Sequence, residues 1–146
     1  MQKPREVNIA IFIGWYAVIA ISMYWILWFL APDQVRIISP VDPYYPHYVE
    51  FEHTFILADT WIVIAALVGI IGLTKLKPFG FLFLNLAASS TIFLGLMDLA
   101  YSLQRGFFSQ LNETSLVELF NVSSCLILGP AAIILLWKVK NHFFKN

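Results

Sequence analysis

Charge is scarce in this chain. Asp, Glu, Lys and Arg make up 12% of its 146 residues, about half the share of an ordinary soluble domain, and the formal net charge is zero. That balance excludes the basic surface a nucleic-acid partner requires and points to no anionic surface as a target. Cysteine is nearly missing too. Cys125 stands alone inside an apolar run, which excludes an internal disulfide, a thioredoxin-type pair and a Cys-rich zinc site. His47, His53 and His142 do not share helical ligand spacing, so no metal site is expected from them. There is no Gly-rich phosphate loop and no Gly-x-Ser-x-Gly elbow, and no cofactor is expected. Repeats, low-complexity tracts and domain boundaries are absent as well, so a single transmembrane domain over residues 1–146 is the expectation.

What the chain has in excess is apolar surface. At 60% hydrophobic it carries more than a core of this size can hide, and a bilayer is the natural solvent. Four apolar runs, at 7–30, 51–73, 79–103 and 116–137, are each near or above the roughly 20 residues that cross a hydrocarbon core as a helix. Unpaired backbone amides are not tolerated in lipid, and the runs are too long and too continuous for barrel strands. The expected fold is therefore all-α, an integral membrane four-helix bundle. The first run is too long for a secretion signal, no small-residue cleavage pattern follows it, and it is read as a retained span.

The few cations are unevenly placed. Lys3 and Arg5 precede the first span, Lys75 and Lys77 fill the turn between the second and third, and Lys138, Lys140 and Lys145 follow the fourth. Only Arg36 and Arg105 fall in the other loops. The positive-inside rule then puts both termini in the cytoplasm of a multi-pass protein of the cell membrane, with two hairpins pointing outward.

Trp15, Tyr16, Trp25, Trp28 and Trp137 are placed as interfacial anchors would be. The outer loop at 31–50 carries Pro32, Pro40, Pro43 and Pro46 around Tyr44, Tyr45 and Tyr48, which favours extended backbone capping the outer mouth. Ala65 and Gly69, and Ala87, Thr91 and Gly95, are small residues at four-residue spacing where helices can approach closely. Pro130 offers no N–H to the carbonyl of Leu126, so a kink is expected at Gly129 and Pro130. Asn112-Glu113-Thr114 has the form of a glycosylation acceptor.

Ionisable residues at membrane depth cost about 2.5–3.5 kcal/mol each on insertion scales, so their positions carry the functional signal. Here they gather in the outer half: Glu50, Glu52, His53 and Asp59 on the second span, Asp98, Tyr101, Gln104 and Arg105 on the third, Glu118 and Asn121 on the fourth. Helical spacing aligns Glu52 with Asp59, Asp98 with Tyr101 and Arg105, and Glu118 with Asn121 and Cys125. Asp59 lies about 12 Å into its helix by the 1.5 Å rise. An outward-opening cavity floored by Asp59 fits these depths. The plainer alternative treats Glu50, Glu52, His53, Arg105 and Glu118 as wetted helix ends. It treats Asp59 and Asp98 as bundle locks held by Arg105, Asn121 or a serine hydroxyl.

The stretch Phe51-Glu52-His53-Thr54 running on to Ala58-Asp59-Thr60-Trp61, with Gly95-Leu96-Met97-Asp98 and Leu128-Gly129-Pro130, resembles small prokaryotic four-helix membrane proteins. That likeness implies a topology and no activity. More distantly the chain is similar to the EXPERA group, which includes sterol isomerases and the sigma-2 receptor. The likeness implies an amine or sterol held among acids, with Asp98, Tyr101 and Asn121 as the matching positions.

Three functions follow as expectations. The first is binding of a small amphipathic or cationic ligand, or of a membrane lipid, in the outward pocket, with Asp59 and Asp98 as anionic anchors and Trp61, Tyr101 and Asn121 as walls. Glu52, His53, Arg105 and Glu118 complete that site. The second is a lipid- or isoprenoid-modifying enzyme using paired carboxylates as acid and base. The third is a small transporter or accessory subunit acting as a homo-oligomer or beside a partner membrane subunit.

Overall fold

The computed structural model describes residues 3–109 and 112–144. Lys145, counted among the cations above, lies outside the described residues. Among the described residues the regular structure is all helical, without strands. The helices are α1 (Arg5–Leu30), α2 (Pro32–Val35), α3 (Tyr45–His53), α4 (Ile56–Thr74), α5 (Pro78–Arg105) and α6 (Glu113–Lys138). Four stretches are long and apolar enough to cross a membrane: α1, α3 with α4 taken together, α5 and α6. Phe12, Ile19, Phe93, Phe120 and Ile127 all face outward and exposed, which only a hydrocarbon solvent makes favourable.

The second span departs from expectation. It begins at Tyr45 rather than at residue 51, because Pro46 falls in the first turn of α3, where no intrahelical N–H is needed. Pro32 likewise opens the short α2, so the loop expected to be extended is partly helical. Between α3 and α4 the chain tightens without unwinding: Thr54 and Phe55 keep right-handed helical angles, and the Phe55 N–H donates to Glu52 O at 2.9 Å. α6 begins at Glu113 because Asn112 and Ser115 form a reciprocal cap. Asn112 Oδ1 accepts from the Ser115 N–H at 2.9 Å, and Ser115 Oγ from the Asn112 N–H at 2.8 Å. α6 runs through Gly129 and Pro130 as one helix.

α1 packs on α4 and α6, and α5 packs on the same two helices. α1 and α5 therefore face each other across the middle and meet only marginally. At the end that carries the Lys75–Lys77 turn, the lysine end, Val7, Ala10, Leu73, Leu84 and Leu136 form an apolar cluster. Gly72 and Gly80 bring α4 and α5 so close there that a methyl on either would overlap the other helix's backbone. Toward the opposite end, the acid end, the middle is filled by an aromatic cluster of Trp28, Ile38 and Tyr48, with Tyr24, Trp25 and Tyr101 against it.

Candidate functional site

The site is built outward from α1. Tyr24, Trp25 and Trp28 sit at i, i+1 and i+4, so their side chains fan over one sector of the helix and reach α3 and α4. The Tyr24 hydroxyl donates to Glu52 Oε2 at 2.7 Å, the Trp25 indole N–H to Asp59 Oδ2 at 2.8 Å, and the Trp28 indole N–H to His53 Nε2 at 3.2 Å. Trp28 is fully buried. Trp25 and Trp28, expected as headgroup anchors, are hydrogen-bond donors turned toward the protein, because an indole in apolar surroundings seeks an acceptor and Asp59 and His53 supply it.

Behind these pairs lies a cavity of about 570 Å³. Its acid end is lined by Glu52, Asp59, Asp98, Glu118 and Asn121, with Arg36 from the segment after α2. Its far end is lined by small or apolar side chains, among them Ala17, Ala66, Leu84, Ala88 and Ala132. Asp98 lies within electrostatic range of Glu118, Glu52 and Asp59, so carboxylates from α3, α4, α5 and α6 converge. Glu118 Oε1 accepts from the buried Ser102 hydroxyl at 2.6 Å, which ties α5 to α6 beside Asp98. Tyr101 stacks on Phe51, ring centroids 4.1 Å apart, and closes the wall between α5 and α3.

Hydrogen bonding is incomplete at this place. Among the described residues three buried side-chain polar atoms have no hydrogen-bond partner: Asp59 Oδ1, Tyr101 OH and Arg36 Nε. All three residues line the cavity. Asp59 matters most, since the residue is 5% exposed and an unsatisfied buried acceptor costs about 1–3 kcal/mol, more when charged. A donor brought by a ligand removes that cost.

Of the residues named from sequence, Glu52, Asp59, Asp98, Tyr101, Glu118 and Asn121 line the cavity. His53, Trp61 and Arg105 do not. His53 is exposed and stacks on Phe29, and Trp61 is 44% exposed on the outer face of α4. Arg105 was a candidate partner for a buried Asp, yet its guanidinium lies over the Tyr44 ring at 3.5 Å. Asp59 is held by Trp25, not by Arg105, Asn121 or a serine.

Four participants were not foreseen: Tyr24, Trp25, Ser102 and Arg36. Arg36 bonds the Tyr45 hydroxyl and lies over the Trp28 ring at 4.5 Å. The Tyr24, Trp25 and Trp28 spacing was the available signal, because three donors on one sector opposite buried acids make a matched set. No group of three or more His, Cys, Asp or Glu side chains is disposed to hold a metal ion among the described residues. No family model matches the chain, and no curated protein or solved structure is significantly similar to it.

Proposed function

We propose that this chain is an integral four-helix bundle of the cell membrane, with both termini cytoplasmic, that binds a small amphipathic or cationic ligand in an outward-facing pocket. The orientation rests on Lys3, Arg5, Lys75, Lys77, Lys138 and Lys140, which belong to the lysine end, against Arg36 and Arg105 at the other. The reading of binding rests on one observation above the rest. Asp59 is buried, keeps one carboxyl oxygen unpartnered, and faces a cavity that is acidic at one end and apolar at the other. A cavity of this volume, mostly apolar with a few convergent polar groups, has the character of small-molecule sites in general. Its polarity gradient matches a ligand with a cationic head and an apolar body.

The test is equilibrium binding of radiolabelled n-dodecylamine to the purified protein in detergent. Asp59→Asn keeps the size and one acceptor for Trp25 but removes the charge, and it is expected to weaken binding by about ten-fold or more, roughly 1.4 kcal/mol, with an unchanged unfolding midpoint. Equal binding by the variant overturns the proposal, and a parallel loss of folding assigns Asp59 to the scaffold.

A further inference from the structure

We infer, resting on the pocket reading above, that the occupant is a single-chain primary amine drawn from the bilayer, and that it enters sideways between α1 and α6. The seam between these helices is sealed at the lysine end, where Val7 and Ala10 are fully buried in one cluster with Leu136, Val139 and Phe143. Toward the middle, the Tyr16 hydroxyl reaches Ser124 Oγ at 3.3 Å and ties α1 to α6. Beyond that tie α1 is drawn the other way, by its hydrogen bonds to Glu52, His53 and Asp59 on α3 and α4. Ala20 on α1 and Val117 and Asn121 on α6 are exposed and also line the cavity, so there the wall of the cavity is the outer surface of the protein.

The α4–α5 and α5–α6 seams are close-packed. A Cβ on Gly69 would lie 2.7 Å from the Leu84 backbone N, and one on Gly95 would lie 2.6 Å from Cys125 Cβ. α4 meets α5 and α5 meets α6 closely at these points. Besides the mouth at the acid end, where the exposed Asp33, Gln34 and Glu113 also line the cavity, the opening between α1 and α6 faces what surrounds the four long helices at the depth of Asn121. That depth is eight residues into α6, about 12 Å at 1.5 Å per residue, within the apolar reach of a bilayer rather than at its aqueous surface.

The lining defines the occupant. Asp59 Oδ1 lacks a donor, which a primary ammonium supplies from three N–H groups and a quaternary ammonium cannot supply. Below the acids, the lining runs from Asp98 to Leu84 on α5 and from Glu118 to Ala132 on α6. Each stretch spans fourteen residue-to-residue rises, about 21 Å. One leaflet of a bilayer is about 15 Å of hydrocarbon, so a chain of leaflet length fits beneath the head. Alanines and Gly129 line that stretch and keep it open.

The experiment uses the full chain in phosphatidylcholine nanodiscs and a diazirine-bearing hexadecylamine. Labelling is expected inside the cavity, to depend on Asp59, and to be displaced by hexadecylamine at least about ten-fold more effectively than by cetyltrimethylammonium or spermidine. Ala20→Cys with Asn121→Cys, joined by a cleavable bis-thiosulfonate in a Cys125→Ala background measured as its own reference, is expected to slow labelling by about ten-fold or more, and reduction to restore it. Ala20→Trp, which needs no bridge, should slow it as well. Labelling of both altered proteins at the reference rate overturns side admission, and equal displacement by cetyltrimethylammonium or spermidine overturns the primary-amine, single-chain assignment. If labelling is specific but Asp59→Asn leaves it unchanged, the pocket reading itself falls, a result distinct from either.

Discussion

The indole N–H of Trp25 meets Oδ2 of Asp59 at 2.8 Å across the contact between α1 and α4, and this leaves Oδ1 of the same carboxyl turned to the cavity without a partner. One oxygen is committed to the fold and the other is available. The same side chain thereby serves as a helix tie and as the anchor of the proposed site.

That division predicts a measurable coupling. Trp25→Phe removes the donor and leaves Oδ2, like Oδ1 already, without a partner on a residue that is only 5% exposed, so a loss of about 1–3 kcal/mol is expected. In the double-mutant cycle with Asp59→Ala, the second substitution should cost little once the first is made. Reversible unfolding in mixed micelles reads both numbers. Strict additivity would mean that the bond contributes nothing to holding α1 on α4.

The crossing of α4 and α5 makes a second, purely structural prediction. Gly72 and Gly80 face one another with no room for a methyl group, since the atoms in the way are backbone and cannot swing aside. Gly72→Ala and Gly80→Ala should each cost more than the about 1–3 kcal/mol usual for overpacking. Gly106 offers the comparison. It ends α5 in the left-handed region at φ 68° and a Cβ there meets nothing nearer than 3.9 Å, so Gly106→Ala pays only the conformational cost of about 1–2 kcal/mol. An unfolding series that ranks Gly106→Ala as the most damaging of the three would contradict the close crossing.

The spans and the gathering of acids toward one end were legible because lipid penalises each exception, and Asp59 and Asp98 stand out against the apolar runs. How far Asp59 lies into its span was not, since that span starts at Tyr45 rather than at residue 51. Direction around α1 was not legible. That helix is apolar on every side, so its sequence has no polar face to fix its rotation, and Trp25 and Trp28 near its end suit a headgroup anchor as well as an inward donor. Their partners Asp59 and His53 lie more than twenty residues away, and only tertiary packing selects between the two. Pro46 was ambiguous for a related reason, since the same residue favours extended backbone and opens helices. Arg105 and Trp61 misled because helical spacing places a residue on a face without saying whether that face meets a neighbour or the surrounding solvent.

Arg36 holds the segment between α2 and α3 against the aromatic cluster. Its guanidinium covers the Trp28 ring, donates to the Tyr45 hydroxyl and reaches the Trp28 carbonyl at 3.4 Å. A lysine cannot reproduce a planar group that stacks and forks at once. Arg36→Lys should therefore loosen residues 36–44 nearly as much as Arg36→Ala, read as several-fold faster chymotryptic cleavage after Tyr44. Protection retained by the lysine variant would reduce the role of Arg36 to its charge.

Orientation is tested by accessibility from the two sides of a sealed cell. Ser39 lies exposed in the segment before α3, and Lys75 and His142 are exposed at the lysine end. In a Cys125→Ala background, a membrane-impermeant maleimide added to intact cells should label Ser39→Cys, and should label Lys75→Cys and His142→Cys only after lysis. The physical basis is the unequal placement of cations: six described Lys and Arg residues at one end against Arg36 and Arg105 at the other. Labelling of Lys75→Cys in intact cells with Ser39→Cys protected would invert the protein in the membrane, turn the mouth of the cavity toward the cytoplasm, and require the amine to come from the inner leaflet. The contacts of Asp59 would be untouched by that inversion, so the sidedness of the ligand and the existence of its site are decided by separate measurements.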